Sequence, residues 1–195
     1  MKYQANSAIA QAVYVLTYPM LRLMNPKAPE KQLNGEFHIA VQGFLNGYSA
    51  ENVDWLLRQA RYEAGPDWGN LATKQDNNPF GMGKVYKRPT TQTGSRLAKD
   101  GSQGKNTIGL YTSIRSAVCD RFMWDAYNKV SPKSVQYVDA VLAGGYNSNT
   151  EYSFDWQKDV YKSGVLTIRK IHLAMLSMLV LGFLGFQLLT KGLKK

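Results

Sequence analysis

Glu63 is the side chain in this sequence best suited to acid chemistry. Within residues 49–64, Val53, Leu56, Leu57, Ala60 and Ala64 recur at three- and four-residue spacing, the pattern of a helix with one buried face. Glu63 falls three residues after Ala60 and seven after Leu56, so it belongs to that face rather than to the charged side carrying Arg58. A carboxyl group at the end of a core-facing stripe loses part of its hydration, which disfavours its charged form and raises its pKa. Such a group can keep a proton near neutral pH and deliver it to a leaving oxygen, which is the work of a general acid.

Other residues have the chemistry of sugar recognition. Asn77 and Asn78 carry amide donors and acceptors that suit N-acetyl groups and equally suit bracing a loop, while Pro79 and Gly81 shape the chain around Phe80. Trp68, Tyr111 and Tyr146 offer flat faces on which sugar rings can pack, and each is also ordinary core material. Cys119 is the single cysteine, so the chain can form neither an intramolecular disulfide nor a cysteine-based zinc site, and Cys119 is expected to be a small buried residue. His38 and His172 lie far apart in sequence, and we expect no metal site and no cofactor.

The elements that must position these residues can be sketched from periodicity. Helices are predicted over residues 7–17, 37–46, 49–64, 112–129, 134–143 and 151–161, the third with Ser49 as N-cap and Glu51 in its first turn. Residues 25–35 read as a linker on proline, glycine and charge content. Residues 65–110 are rich in Gly, Thr, Asn and Lys with short β-like pieces, so the expected class is α+β. From residue 171 to residue 190 there is no Asp, Glu, Lys or Arg. Twenty such residues at about 1.5 Å each would cross a hydrocarbon core of roughly 30 Å, so a C-terminal transmembrane helix is expected, with a lipid bilayer as its partner. The organisation read from the sequence is thus an amphipathic segment and linker (1–35), a domain (36–164) and a membrane helix (171–190).

The net charge of +10 favours anionic partners: nucleic acid, acidic phospholipid or cell-wall polymer. Nothing in the sequence looks like a phosphate-binding loop or a recognition helix, so no nucleic-acid partner is expected. Within residues 77–110, Lys84, Lys87, Arg88, Arg96, Lys99 and Lys105 concentrate positive charge against Asp100 alone.

Four motifs then occur in one order: Glu63-Ala64-Gly65-Pro66-Asp67-Trp68-Gly69-Asn70; Asn77-Asn78-Pro79-Phe80-Gly81-Met82; Leu110-Tyr111-Thr112-Ser113 with Ser116 and Asp120; and Ala143-Gly144-Gly145-Tyr146-Asn147-Ser148 continuing to Tyr152. Together they resemble the glucosaminidase family of peptidoglycan hydrolases, over roughly residues 37–161. The resemblance implies a lysozyme-like, mainly helical domain with a small β-rich lobe, and a glycosidase that cleaves the glycan strand beside N-acetylglucosamine with Glu63 as general acid. It places Asp100, in Lys99-Asp100-Gly101, as a candidate second carboxylate, although an Asp-Gly pair is also simply a turn. It assigns substrate contacts to Trp68, Asn77, Asn78, Phe80, Tyr111 and Tyr146. The chain departs from the family pattern where Ala64 replaces the usual serine and Pro66-Asp67 is inserted before Trp68, which would reshape the turn after Glu63. With a membrane helix, the expected setting is a virion membrane of a bacteriophage or a bacterial envelope, with virion or envelope proteins as further partners. The competing expectation is an inactive, membrane-anchored wall-binding or structural virion protein.

Overall fold

A computed structural model describes residues 2–65, 67–98, 107–146 and 166–192. The elements in chain order are α1 (Lys2–Met24), α2 (Glu30–Leu45), α3 (Ala50–Ala64), α4 (Leu71–Asp76), β1 (Gly94–Leu97), β2 (Thr107–Leu110), α5 (Ile114–Tyr127), α6 (Tyr137–Ala143) and α7 (Ile168–Gly192).

The middle of the molecule is α2, which packs against α1, α3 and α5. Its residues Leu33, Phe37, Ile39 and Ala40 are fully buried, and they meet Leu56 and Leu57 of α3 and Phe122 of α5 in one core. The stripe read from α3 is the face it buries, and Ser49 caps this helix by accepting a hydrogen bond from the Asn52 N–H at 3.2 Å. Only the turn around residues 25–29 separates α1 from α2, because Glu30 begins the second helix. There Glu30 accepts hydrogen bonds from the Tyr14 and Tyr18 hydroxyls, each at 2.9 Å.

The expected α+β class with a β-rich lobe is corrected. The molecule is mostly helical, and its sheet is a single antiparallel pair, β1 with β2, in which Gly94 faces Leu110 and Leu97 faces Thr107. The physical reason lies in the sequence around the pair. The stretch before β1 lacks the alternating apolar residues that would give further strands a buried face, and it is held by side-chain amides bonded to backbone. Within it, residues 71–76 form the short helix α4, capped by the Asn70 side chain accepting from the Thr73 N–H at 2.7 Å.

The expected transmembrane segment is corrected as well. Among the described residues no helix is long and apolar enough to cross a membrane. The start of α7 belongs to the protein core instead. Leu166, Ile171 and Ala174 are fully buried, α7 packs along α1, and His172 stacks on Phe44 of α2 with ring centroids 5.5 Å apart. A helix with one face in a protein core is not surrounded by lipid. Its other side carries exposed Leu176, Leu179 and Phe183.

A buried ion pair ties this end of the chain to the helix that carries Glu63. Arg61 of α3 meets Glu36 of α2 at 2.9 Å, and both side chains are almost completely buried. Glu36 also accepts from the Leu166 N–H at 2.7 Å and from Gln32 Nε2 at 2.8 Å, while Arg61 Nη2 donates to the Leu166 carbonyl at 2.9 Å. These bonds satisfy the carboxylate and fix the backbone where the chain approaches α7.

Candidate functional site

Glu63 sits in the last turn of α3, and the chain leaves the helix at Gly65, whose φ of 79° lies in the left-handed region that suits glycine. Asn70 holds this turn from both sides. Its N–H donates to the Ala64 carbonyl at 3.1 Å, its side-chain amide donates to the Glu63 carbonyl, and its side-chain oxygen caps α4. Beyond Gly65, Trp68 stands at a φ of 53° with its ring buried rather than facing a groove. Gly35 of α2 makes room for that ring: a Cβ there would lie 2.0 Å from the Trp68 ring.

The opposite wall is the loop Asn77–Met82. Asn77 ends α4 at a φ of 54°, donates to the Tyr111 carbonyl at 3.1 Å and accepts from Lys31 Nζ at 3.1 Å. Asn78 is fully buried; it donates to the carbonyls of Met82 (2.8 Å) and Gly109 (3.0 Å) and accepts from the Met82 N–H at 3.0 Å. Every described bond of the Asn pair is therefore a loop brace. The brace sets Gly81 directly against the catalytic candidate, because a Cβ on Gly81 would lie 3.0 Å from Glu63 Oε2, and its φ of 62° is left-handed. Phe80 is buried beneath this loop, and the Tyr146 hydroxyl donates to the Phe80 carbonyl at 2.6 Å.

Glu63, Phe80 and Tyr146 line one cleft of about 690 Å³, together with Met82, the segment Gly83–Arg88, Trp124, Tyr127 and Asn128. Of the residues assigned to substrate contact, Phe80 and Tyr146 are brought together with Glu63 there. Trp68 is in the core. Asn77 opens onto a separate hollow beside Lys31 and Ser113. Tyr111 is buried with its hydroxyl donating to Asp120 Oδ2 at 2.7 Å, behind the cleft wall rather than in it. Asp100 and the predicted helix over residues 151–161 lie outside the described residues.

The electrostatics of the cleft favour a protonated acid. Burial pushes the Glu63 carboxyl up to about 8. It is the one acidic residue among the described residues lining the cleft. Two buried ion pairs stand behind the aromatic wall. Asp120 is bonded by Arg88 at 2.8 and 3.0 Å, and Arg121 is paired with Asp125, which also accepts from the Tyr48 and Tyr137 hydroxyls at 2.7 and 2.6 Å. The Arg121 guanidinium lies 5.1 Å from the Trp124 ring and 4.8 Å from the Tyr146 ring, which meet edge to face at 5.1 Å. Burial, first of all, raises the Tyr146 phenol far above its ordinary value, so it stays a neutral donor.

Sequence reasoning did not single out Trp124, Tyr127, Asn128, Tyr86 or Asn70. A signal existed for some of them: Arg121, Trp124 and Asn128 recur at three and four residues along α5, one face of the helix, and an Asn preceding Leu-Ala-Thr is an N-cap pattern. His38 is buried and bridges Gln11 and Gln42, its pKa lowered to about 3 by burial and then by Arg115, so it is neutral and structural. Cys119 is buried, as expected of it. Comparison of the chain with family models, with curated proteins and with solved structures gave no match.

Proposed function

We propose that this protein cleaves the glycan strand of peptidoglycan, with Glu63 as the general acid. The observation that carries the reading is the Glu63 carboxyl group, pushed up to about 8 by burial, at the wall of an aromatic-lined cleft. A carboxyl group in that state is largely protonated near neutral pH and is well matched to protonating a glycosidic oxygen as its bond to the anomeric carbon breaks. Trp124, Tyr127 and Tyr146 supply ring faces and edges of the kind that hold sugars. The motif resemblance to glucosaminidases names the same residue for the same step, and it narrows the substrate to strands containing N-acetylglucosamine.

In this reading the chain's own residues act as follows. Gly81 and the Asn78-braced loop close one side of Glu63 and keep water from solvating its carboxylate. Asn70 holds the backbone of the turn that follows it. Protonation of the leaving oxygen is common to hydrolysis and to attack by an internal sugar hydroxyl, so the identity of the nucleophile is decided by the products. Purified peptidoglycan incubated with the protein and analysed by mass spectrometry tests the proposal. It predicts release of disaccharide-containing fragments, with reducing ends for hydrolysis or anhydro ends for internal attack, and intact sacculi after incubation would refute it.

A further inference from the structure

We propose, on the basis of the glycan-cleaving reading above, that Lys84 and Lys87 form a subsite for the free carboxylates of the peptide stems carried by the strand. The chain from Gly83 to Arg88 lines the same cleft as Glu63. Three cations fall within it, but they are not equivalent. Arg88 is spent internally, its side chain buried against Asp120. Lys84 and Lys87 are exposed, and neither has an ion-pair partner among the described residues. Between them stands Tyr86, 75% exposed, with Lys84 Nζ held 4.9 Å from its ring centroid.

A solvated basic loop would account for the charges, but it would not account for how firmly this one is held. Gln92 grips it at two points, accepting from the Val85 N–H at 3.0 Å and donating to the Gly83 carbonyl at 2.7 Å. The Lys84 N–H donates to Thr107 Oγ1 at 3.2 Å, and Arg88 anchors the far end on Asp120. Gln92 in turn fits closely over Gly109, where a Cβ would lie 2.4 Å from its amide. A backbone fixed on both sides leaves only the lysine side chains, and not the loop, to be ordered when a ligand arrives. Glu63 is the only described acid in the cleft and is largely protonated near neutral pH, so among the described residues nothing in the cleft neutralises its two exposed cations. A neutral glycan has no use for them. A strand whose sugars carry acidic peptide stems supplies carboxylates beside the sugar chain, and Tyr86 gives the stem's apolar part a surface.

The test uses soluble peptidoglycan strands freed of phosphate-containing wall polymers and acetylated at their stem amines. One half is left with free stem carboxylates and the other is converted to methyl amides. Binding is measured on full-length protein carrying Glu63→Gln, so that no turnover intervenes, with and without Lys84→Gln and Lys87→Gln. Cleavage of both strand types by the unmutated protein is measured in parallel. We expect free-carboxylate strands to bind about 5–10-fold tighter than amidated ones, the scale of two exposed ion pairs, with the preference fading as salt rises. The double lysine variant should bind the two strand types alike. An unchanged preference in that variant, or no preference in its parent, overturns the subsite. So does lysine-dependent binding that appears only when phosphate-containing polymer is left on amidated strands. A lysine-dependent preference with no cleavage by the unmutated protein would retain the subsite and sink the enzymatic reading.

Discussion

Replacing Glu63 by Gln should make the protein more stable relative to its parent as pH rises. The folded state holds the Glu63 carboxyl at about 8 against an ordinary value of 4.5, and the shift comes from desolvation. Between those values the folded protein binds more protons at this site than the unfolded chain, so stability falls as pH increases through the window. The cost is nearly absent at about pH 4.5, reaches about 3 kcal/mol near pH 7 and about 4 kcal/mol near pH 8, at ~1.36 kcal/mol per pKa unit. Glu63→Gln removes this dependence. A buried amide without a partner brings its own penalty of roughly 1–3 kcal/mol, but that penalty does not vary with pH. The informative quantity is therefore the change in the stability difference between the two proteins, measured by urea unfolding at about pH 4.5 and about pH 8. The variant should gain on its parent by about 4 kcal/mol across that interval. A difference that stays constant within about 0.5 kcal/mol would show that Glu63 is solvated in the folded protein, and the argument for a proton-holding acid would fall with it.

Other outcomes follow from the same geometry. Gly81→Ala puts a Cβ on a left-handed backbone 3.0 Å from Glu63 Oε2, so it should cost about 1–2 kcal/mol in urea unfolding and lower glycan cleavage by displacing the acid. Arg61→Ala leaves the Glu36 carboxylate buried without its cation and should destabilise by about 3–5 kcal/mol, whereas Glu36→Gln combined with Arg61→Met should cost clearly less. Ile171→Ala cuts into the core contact of α7 and should lower stability by about 2–5 kcal/mol; a silent mutation there would mean that the helix is not docked. Asp100→Asn should reduce cleavage as severely as loss of Glu63 if Asp100 is the second acid, and leave it unchanged if the Asp-Gly pair is only a turn.

What was legible in the sequence was mostly local. The α3 stripe, its Ser49 cap and the inward placement of Glu63 follow from three- and four-residue spacing, and the structure has all three. Less legible was whatever depends on residues distant in sequence. Trp68 looked like a groove residue because it follows the acid, yet it fills the space left by Gly35, a partner that no local pattern reveals. Tyr111 was read as a sugar platform from its motif, and its hydroxyl is committed to Asp120. The glycine-rich stretch suggested a lobe of strands, but strands need apolar faces to bury, and amide side chains such as Asn78 and Gln92 hold that backbone instead. The apolar C-terminal run looks like a membrane helix on composition alone, where contact with α1 and the burial of Ile171 and Ala174 show its first turns to be core.

The central claim, that Glu63 donates the proton that breaks the glycan strand, is tested most directly by comparing the protein with its Glu63→Gln form on purified peptidoglycan. Solubilised fragments are quantified against time at about pH 6, where the acid is protonated. The account predicts fragment release by the parent and a loss of at least ~100-fold in a variant that remains folded, the scale of general acid catalysis. Equal release by the two proteins would contradict it.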